Sequence, residues 1–158
     1  TALFISRTDL VKNTIVNGSV DTDKFIQFIK IAQEIHIKNY LGSKLYDKIT
    51  NDIINGTLVG DYLKLVNDYI QPMLIQFAMI EYLPFASVQI SSGGENSESV
   101  SKDEIDMLVQ KHRDYSEYYT RRFVDFICFE SNNFPEYNDN VNSDVRPDKD
   151  VDYTNWVL

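Results

Sequence analysis

At 158 residues the chain suffices for one domain that buries roughly 70% of the surface its unfolded form exposes, with no need of a disulfide or metal. A formal charge of -9 and an isoelectric point near 4.6 argue against a domain that grips nucleic acid, which needs clustered Lys and Arg, but do not exclude a surface that DNA slides past. One cysteine, Cys128, excludes an internal bridge, and no charged-then-apolar leader opens the sequence, which points to a reducing cytoplasm.

The first predicted helix is "TDLVKNTIV", capped by Thr8 or Ser6 and stopped by "NGS" at 17–19. The second, "DTDKFIQFIKIAQEIHIKNYLG", starts from Asp21 or Thr22 and closes on Gly42. Gln27, Lys30, Glu34 and Lys38 form one narrow polar stripe, and Phe25, Phe28, Ile29, Ala32 and Ile35 make a core face. Ile26, Ile31 and Ile37 spill beyond that face, so the helix is either central or covered on a second side by a neighbouring subunit. "SKLYDKITNDIINGTLVG" gives a short helix with Leu45, Ile49 and Ile53 on one face and "NGT" as its stop.

"DYLKLVNDYIQPMLIQFAMIEYLPFASVQIS" is predicted helical from about residue 61, apolar nearly all round beyond Tyr69, and kinked or restarted at Pro72. Gln71, Pro72, Gln76, Glu81, Pro84 and Gln89 interrupt it too often for a membrane span, which makes a buried central helix the better reading. After Pro84, "FASVQIS" has strand character and "SGGENSES" reads as a turn or hairpin tip. Ser101 and Glu104 form a capping box for the last long helix. There Ile105, Leu108, Val109, His112, Tyr115, Tyr119, Phe123, Phe126 and Ile127 keep helical spacing, while Met107, Tyr118, Val124, Cys128 and Phe129 make a second apolar side.

No internal repeat is evident, and the one composition boundary falls near Ser131. The expected fold is therefore mainly α: a small domain of about five helices over 1–130, with a short β-hairpin or loop before the last long helix. Residues 131–158 are expected to form an extended or disordered acidic arm, with Glu136, Asp139, Asp144, Asp148, Asp150 and Asp152 against Arg146 and Lys149. Its closing "TNWVL" reads either as an anchor that docks Trp156, Val157 and Leu158 on another subunit or as incidental apolar residues in a disordered tail.

Chemistry is sparse. His36 and His112 lie in separate helices without Cys, Asp or Glu at ligand spacing, so no metal site is expected, and His112 reads as a hydrogen-bonded core or interface histidine. Cys128 in "FICFE" is expected in an apolar, unreactive surrounding. Gly93 and Gly94 lack the lysine of a phosphate-binding loop, and Asp103, Glu104 and Asp106 suit a helix N-terminus. Glu81 within "FAMIEYLPF" needs a partner, for which Arg121 and Arg122 are the candidates; these arginines with Tyr118 and Tyr119 make only a weak nucleic-acid patch. No catalytic residue and no cofactor are expected.

In order, "FISRTDLVKN", "FIQFIKIAQEIHIKNYLGSKLYDKI", "NDYIQPMLIQFAMIEYLPFASVQIS", "ENSESVSKDEIDMLVQKHRDYSEYYTRRFVDFICFES" and "NNFPEY" resemble the head-tail connector, or neck ring, proteins of tailed bacteriophages infecting Bacteroides, including those of crAss-like phages. The resemblance spans about 4–137 and is most specific at 40–49, 69–74 and 83–90, all packing and turn residues. It implies a small helical structural protein of the virion that assembles, typically as twelve copies, into a ring beneath the portal. DNA would pass through that ring without specific binding. Residues expected to contact another subunit or partner are Ile26, Ile31, Ile37, Val88, Ile90, Tyr153, Trp156, Val157 and Leu158. A monomeric cytoplasmic adaptor or regulator that binds a basic partner through its acidic tail remains the alternative, followed by an enzyme without a known motif.

Overall fold

The computed structural model describes residues 2–13, 22–92 and 102–138. Among these residues the chain is mainly helical and holds no strand. Helix α1 is Arg7–Asn13, and Asp9 N–H donates to the Ser6 hydroxyl at 3.1 Å, so Ser6 is its cap. The expected stop at 17–19 lies outside the described residues.

Helix α2, Thr22–Ala32, passes through a π turn at Gln33–Ile37 into α3, Lys38–Leu41. Phe25, Ile29, Gln33, Ile37 and Leu41 recur every four residues and are all fully buried. In a straight α-helix a four-residue step advances about 400°, so such a line drifts about 40° per step away from the core. The wider π turn takes up part of that drift and returns Ile37 and Leu41 to the core side. Ile37, expected to face a neighbour, is therefore a core residue, whereas Ile35, expected in the core, is exposed.

Gly42 ends the run with φ 77° and ψ 160°, its N–H on the Lys38 carbonyl at 2.9 Å, and α4, Ser43–Asn55, begins at once. Only glycine adopts that backbone conformation readily, so the predicted stop has a steric cause. At the other end of α4, Gly56 is left-handed at φ 67°, and the Gly56 and Thr57 amides bond back to Ile53 and Asp52.

Helix α5, Gly60–Leu65, leads through a second π turn, Val66–Ile70, into α6, Gln71–Ser92. Pro72 has no N–H to give Asp68, and its ring would meet that carbonyl in an unbroken α-helix; the π turn relieves the conflict just before it. Pro84 does not end α6. The strand expected over 85–91 is thus helix: the exposed Pro84 removes one ladder bond at the open side of a helix otherwise fixed by packing. The serine-rich loop that follows lies outside the described residues.

Helix α6 is central. Along it pack α2 on one side and α7, Lys102–Phe129, on the other. The buried line of α7 is Ile105, His112, Ser116, Thr120, Phe123 and Ile127. Ser116 and Thr120 thus lie in the buried line, whereas Leu108 and Tyr115, which share the row of helical spacing in the sequence, are 45% and 47% exposed. Cys128 is exposed rather than enclosed in apolar surroundings.

Two ends of the described chain close the core. Phe4 and Ile5 are buried, and the Phe4 peptide is held by two glutamines that flank the π turns. Gln33 Oε1 accepts the Phe4 N–H at 2.9 Å, and Gln71 Nε2 donates to the Phe4 carbonyl at 2.9 Å. Beyond α7, a 3-10 turn at Ser131–Asn133 and α8, Pro135–Asn138, bury Phe134 and Tyr137, and Tyr62 donates to Glu136 at 2.6 Å. The extended arm expected from 131 therefore does not start there; folded structure continues to 138, because those two aromatic side chains seal the α4–α5 end of the core. The remainder of the arm lies outside the described residues.

Candidate functional site

Where α2 and α7 diverge on either side of α6, they leave a groove of about 850 Å³. Its floor is Phe77 and Ile80 of α6, one wall is His36 and Tyr40, and the other is the α7 flank from Arg113 to Asp125. The π turn places His36 flat on Phe77, with centroids 4.3 Å apart and planes 8° from parallel. His36 Nε2 donates to Glu81 Oε1 at 3.0 Å, and both side chains remain about one-third exposed.

The opposite wall follows from spacing. Arg113, Glu117, Arg121 and Asp125 recur every four residues and alternate in sign along one flank of α7. Among the described residues, Glu81 thus has an in-chain partner, but it is His36 and not either expected arginine. Arg121 shares the groove with Glu81 without pairing with it, and Arg122 lies over the Tyr69 ring at 5.0 Å, on the far flank of α7. The charge partner was missed because Glu81 and His36 are 45 residues apart with no local signal linking them.

Other polar groups here serve structure. His112 Nδ1 donates to Gln76 Oε1 at 2.7 Å, tying α7 to α6, and burial lowers the pKa of this imidazole. The Ser116 hydroxyl donates to the Arg113 carbonyl at 2.7 Å. Thr120 Oγ1 is buried with no hydrogen-bond partner among the described residues. Behind the groove, Gln33 Nε2 donates to the Ala2 carbonyl and to the Tyr46 hydroxyl, which itself donates to Glu34; burial is the main reason the Tyr46 pKa rises to about 12. Among the described residues no group of three His, Cys, Asp or Glu is placed to hold a metal. What the groove offers is an aromatic floor between charged walls, suited to holding another polypeptide segment.

The remaining contact candidates divide. Ile26 is half-buried against the core, and Ile31 is exposed at 40%. Val88 and Ile90 lie on the helical backbone of α6 rather than on a strand, but their side chains fall outside the described residues, as do Tyr153, Trp156, Val157 and Leu158. The second apolar side of α7 is present and uncovered: Met107 is 62%, Tyr118 60% and Phe129 86% exposed. These residues also reveal a repeat that was not recognised in the sequence. Asp103–Met107, Asp114–Tyr118 and Asp125–Phe129 repeat an acid and an apolar residue four apart at a period of eleven. Eleven residues make about three turns with some 20° of drift, so the stripe runs nearly parallel to the helix axis.

Fold and site together define a class by shape alone: among the described residues, a helical domain with a groove beside α6 and exposed apolar side chains on α2 and α7. The chain belongs to DUF6712, a family of unknown function, whose model matches residues 37–147. That match takes in α6, α7 and the groove residues other than His36, and leaves out α1 and α2. No curated protein and no solved structure matches the chain. Among the described residues no helix is long and apolar enough to cross a membrane.

Proposed function

We propose that this chain is a structural subunit of the neck of a tailed-phage virion, one of a ring of copies, twelve by the family resemblance, between portal and tail. The observation that carries this reading is the pair of helices that flank α6 with a finished core on the inside and bare apolar side chains on the outside: Ile31 and Ile35 on one, Met107, Tyr118 and Phe129 on the other. A self-sufficient monomer has little use for such surfaces, whereas a subunit that packs laterally does. The net charge of -9 suits a channel wall that repels passing DNA rather than retaining it. The portal and adjoining neck or tail rings are its partners in this reading, the acidic stretch after 138 reaches one of them, and no reaction or cofactor is assigned.

Native mass spectrometry of the chain with the portal, and electron microscopy of purified virion necks, test the proposal. A ring-sized assembly and density for the chain at the neck are expected. A lone monomer with the portal present, together with absence from virions, would sink it and favour the monomeric adaptor.

A further inference from the structure

We infer that the outer stripe of α7 on one copy docks on the outer face of α2–α3 of the next copy, in a head-to-tail contact between unlike faces. The inference deepens the ring reading and rests on it only for closure of the assembly.

Three observations carry it. First, the two bare faces point away from each other. Gln76 of α6 turns toward α7, while Phe77, Glu81, Tyr82 and Phe85 turn toward α2 and its π turn, so the flanking helices stand on roughly opposite sides of α6. The side chains that stay exposed on them therefore cannot cover one another within a chain. A contact between the two unlike faces covers both with a single kind of partner, and repeating it builds a ring or a filament rather than a closed pair.

Second, the lengths match. From Met107 to Phe129 the stripe runs 22 helical positions, about 33 Å at 1.5 Å each. The run from Thr22 through the π turn to Leu41 covers 20 residues, about 30 Å. An apolar row that nearly parallels its axis, as an eleven-residue period gives, suits packing against another helix over its whole length.

Third, the charges complement one another. On the outer face of α2, Asp23 is paired with Arg7, and Lys24 and Lys30 stand beside Ile31 and Ile35 together with Glu34, which accepts the Tyr46 hydroxyl. The α7 stripe carries Asp103, Asp114 and Asp125 in step with its apolar row, with Lys111 on the same face. The apolar knobs are Met107, Tyr118 and Phe129, and the receiving side chains are Ile31, Ile35 and the 61%-exposed Phe85, which leans on Phe28.

Two variants of the full chain separate this contact from its competitors. Tyr118→Glu/Phe129→Glu spoils the stripe, and Ile31→Glu/Ile35→Glu spoils the receiving face; all four positions are exposed, so circular dichroism and thermal melting should match the wild type. If either charged pair misfolds, Met107→Ser/Tyr118→Ser and Ile31→Ser/Ile35→Ser take their place. By sedimentation the wild type should assemble and each variant alone should run as one chain of 18.3 kDa. Mixed in equal amounts, the variants should form a species of twice that mass and nothing larger, because one intact junction remains per pair. The contact is wrong if the α2 variant assembles like the wild type, which would mean that the stripe pairs with itself, or if the mixture stays monomeric. A wild type that sediments as one chain, as it would if its own residues 139–158 covered the stripe, overturns it equally. A mixture that pairs as expected from a chain absent from virions would leave the contact standing and remove the ring reading; a chain present at the neck whose mixture fails to pair would do the reverse.

Discussion

Gln33 is the most consequential buried polar residue, and replacing it with leucine tests how the N-terminal segment is held. Its side chain is fully buried and makes three hydrogen bonds: it accepts from Phe4 N–H at 2.9 Å and donates to the Ala2 carbonyl at 2.7 Å and the Tyr46 hydroxyl at 3.1 Å. In Gln33→Leu the Phe4 amide loses its acceptor in a buried place, a cost of about 1 to 3 kcal/mol. The half-buried Ala2 carbonyl can turn to water, and Tyr46 keeps its bond to Glu34, so those two losses are smaller, about 0.5 to 1 kcal/mol each. Leucine returns part of this through better burial, which leaves a net loss of about 2 to 3 kcal/mol. For a chain of this size that corresponds to a fall in Tm of roughly 5 to 10 °C. Urea unfolding measures the free energy, and amide exchange at Phe4 should accelerate more than exchange in the centre of α6. A loss below about 0.5 kcal/mol, or unchanged protection at Phe4, would refute the assignment of Gln33 as the tie that seats this segment.

Glycine substitutions should separate two backbone states: Gly42→Ala, at φ 77° and ψ 160°, should cost about 2 to 3 kcal/mol, against about 1 kcal/mol for Gly56→Ala in the left-handed region, both read from chemical denaturation. Equal costs would contradict the strain argument. Thr120→Val removes a buried hydroxyl that has no partner among the described residues and should stabilise the fold by about 1 kcal/mol; a destabilised variant would mean that the hydroxyl is bonded. Because burial depresses the His112 pKa, folding should be undisturbed by this residue above the ordinary histidine range and progressively weakened as pH falls from there to its lower native value, since the unfolded chain then binds the proton more readily. The difference in stability between wild type and His112→Gln should therefore change between about pH 7 and pH 5, and a flat difference would exclude the effect.

Much of the helical layout was legible because it rests on short-range rules. Gly42 and Gly56 stop helices through backbone sterics, and Phe25, Ile29 and Ala32 mark the buried face of α2. Pro72 and Pro84 show where local rules diverge. Both remove a ladder bond, yet one is met by a π turn and the other is absorbed within α6, a choice made by packing with α2 and α7 that a single segment does not display. The alternation of Val88 and Ile90 resembled a strand for the same reason: β-branched residues in a short run carry no record of the helix preceding them. At the groove, Arg121 and Glu81 were found but mispaired, and the Gln33 and Gln71 anchors were overlooked because buried amides have no periodic signature. The Asp–apolar period of eleven was present in the letters and gained meaning only once α7 was seen to bury its opposite side.

The two π turns also change what a length change would do to this chain. In a surface loop, one residue more or fewer is commonly absorbed by slack. Within Gln33–Ile37, deletion of one residue would let ordinary α winding resume with little rotation of the stretch from Lys38 to the Gly42 reversal, because a π turn spreads one revolution over about one residue more than an α turn. Leu41 would then keep its place in the core, while the turn that lays His36 on Phe77 would be lost. The extra residue of that turn thus serves the groove rather than the core, and natural relatives one residue shorter there should keep the fold while losing the stacked His36.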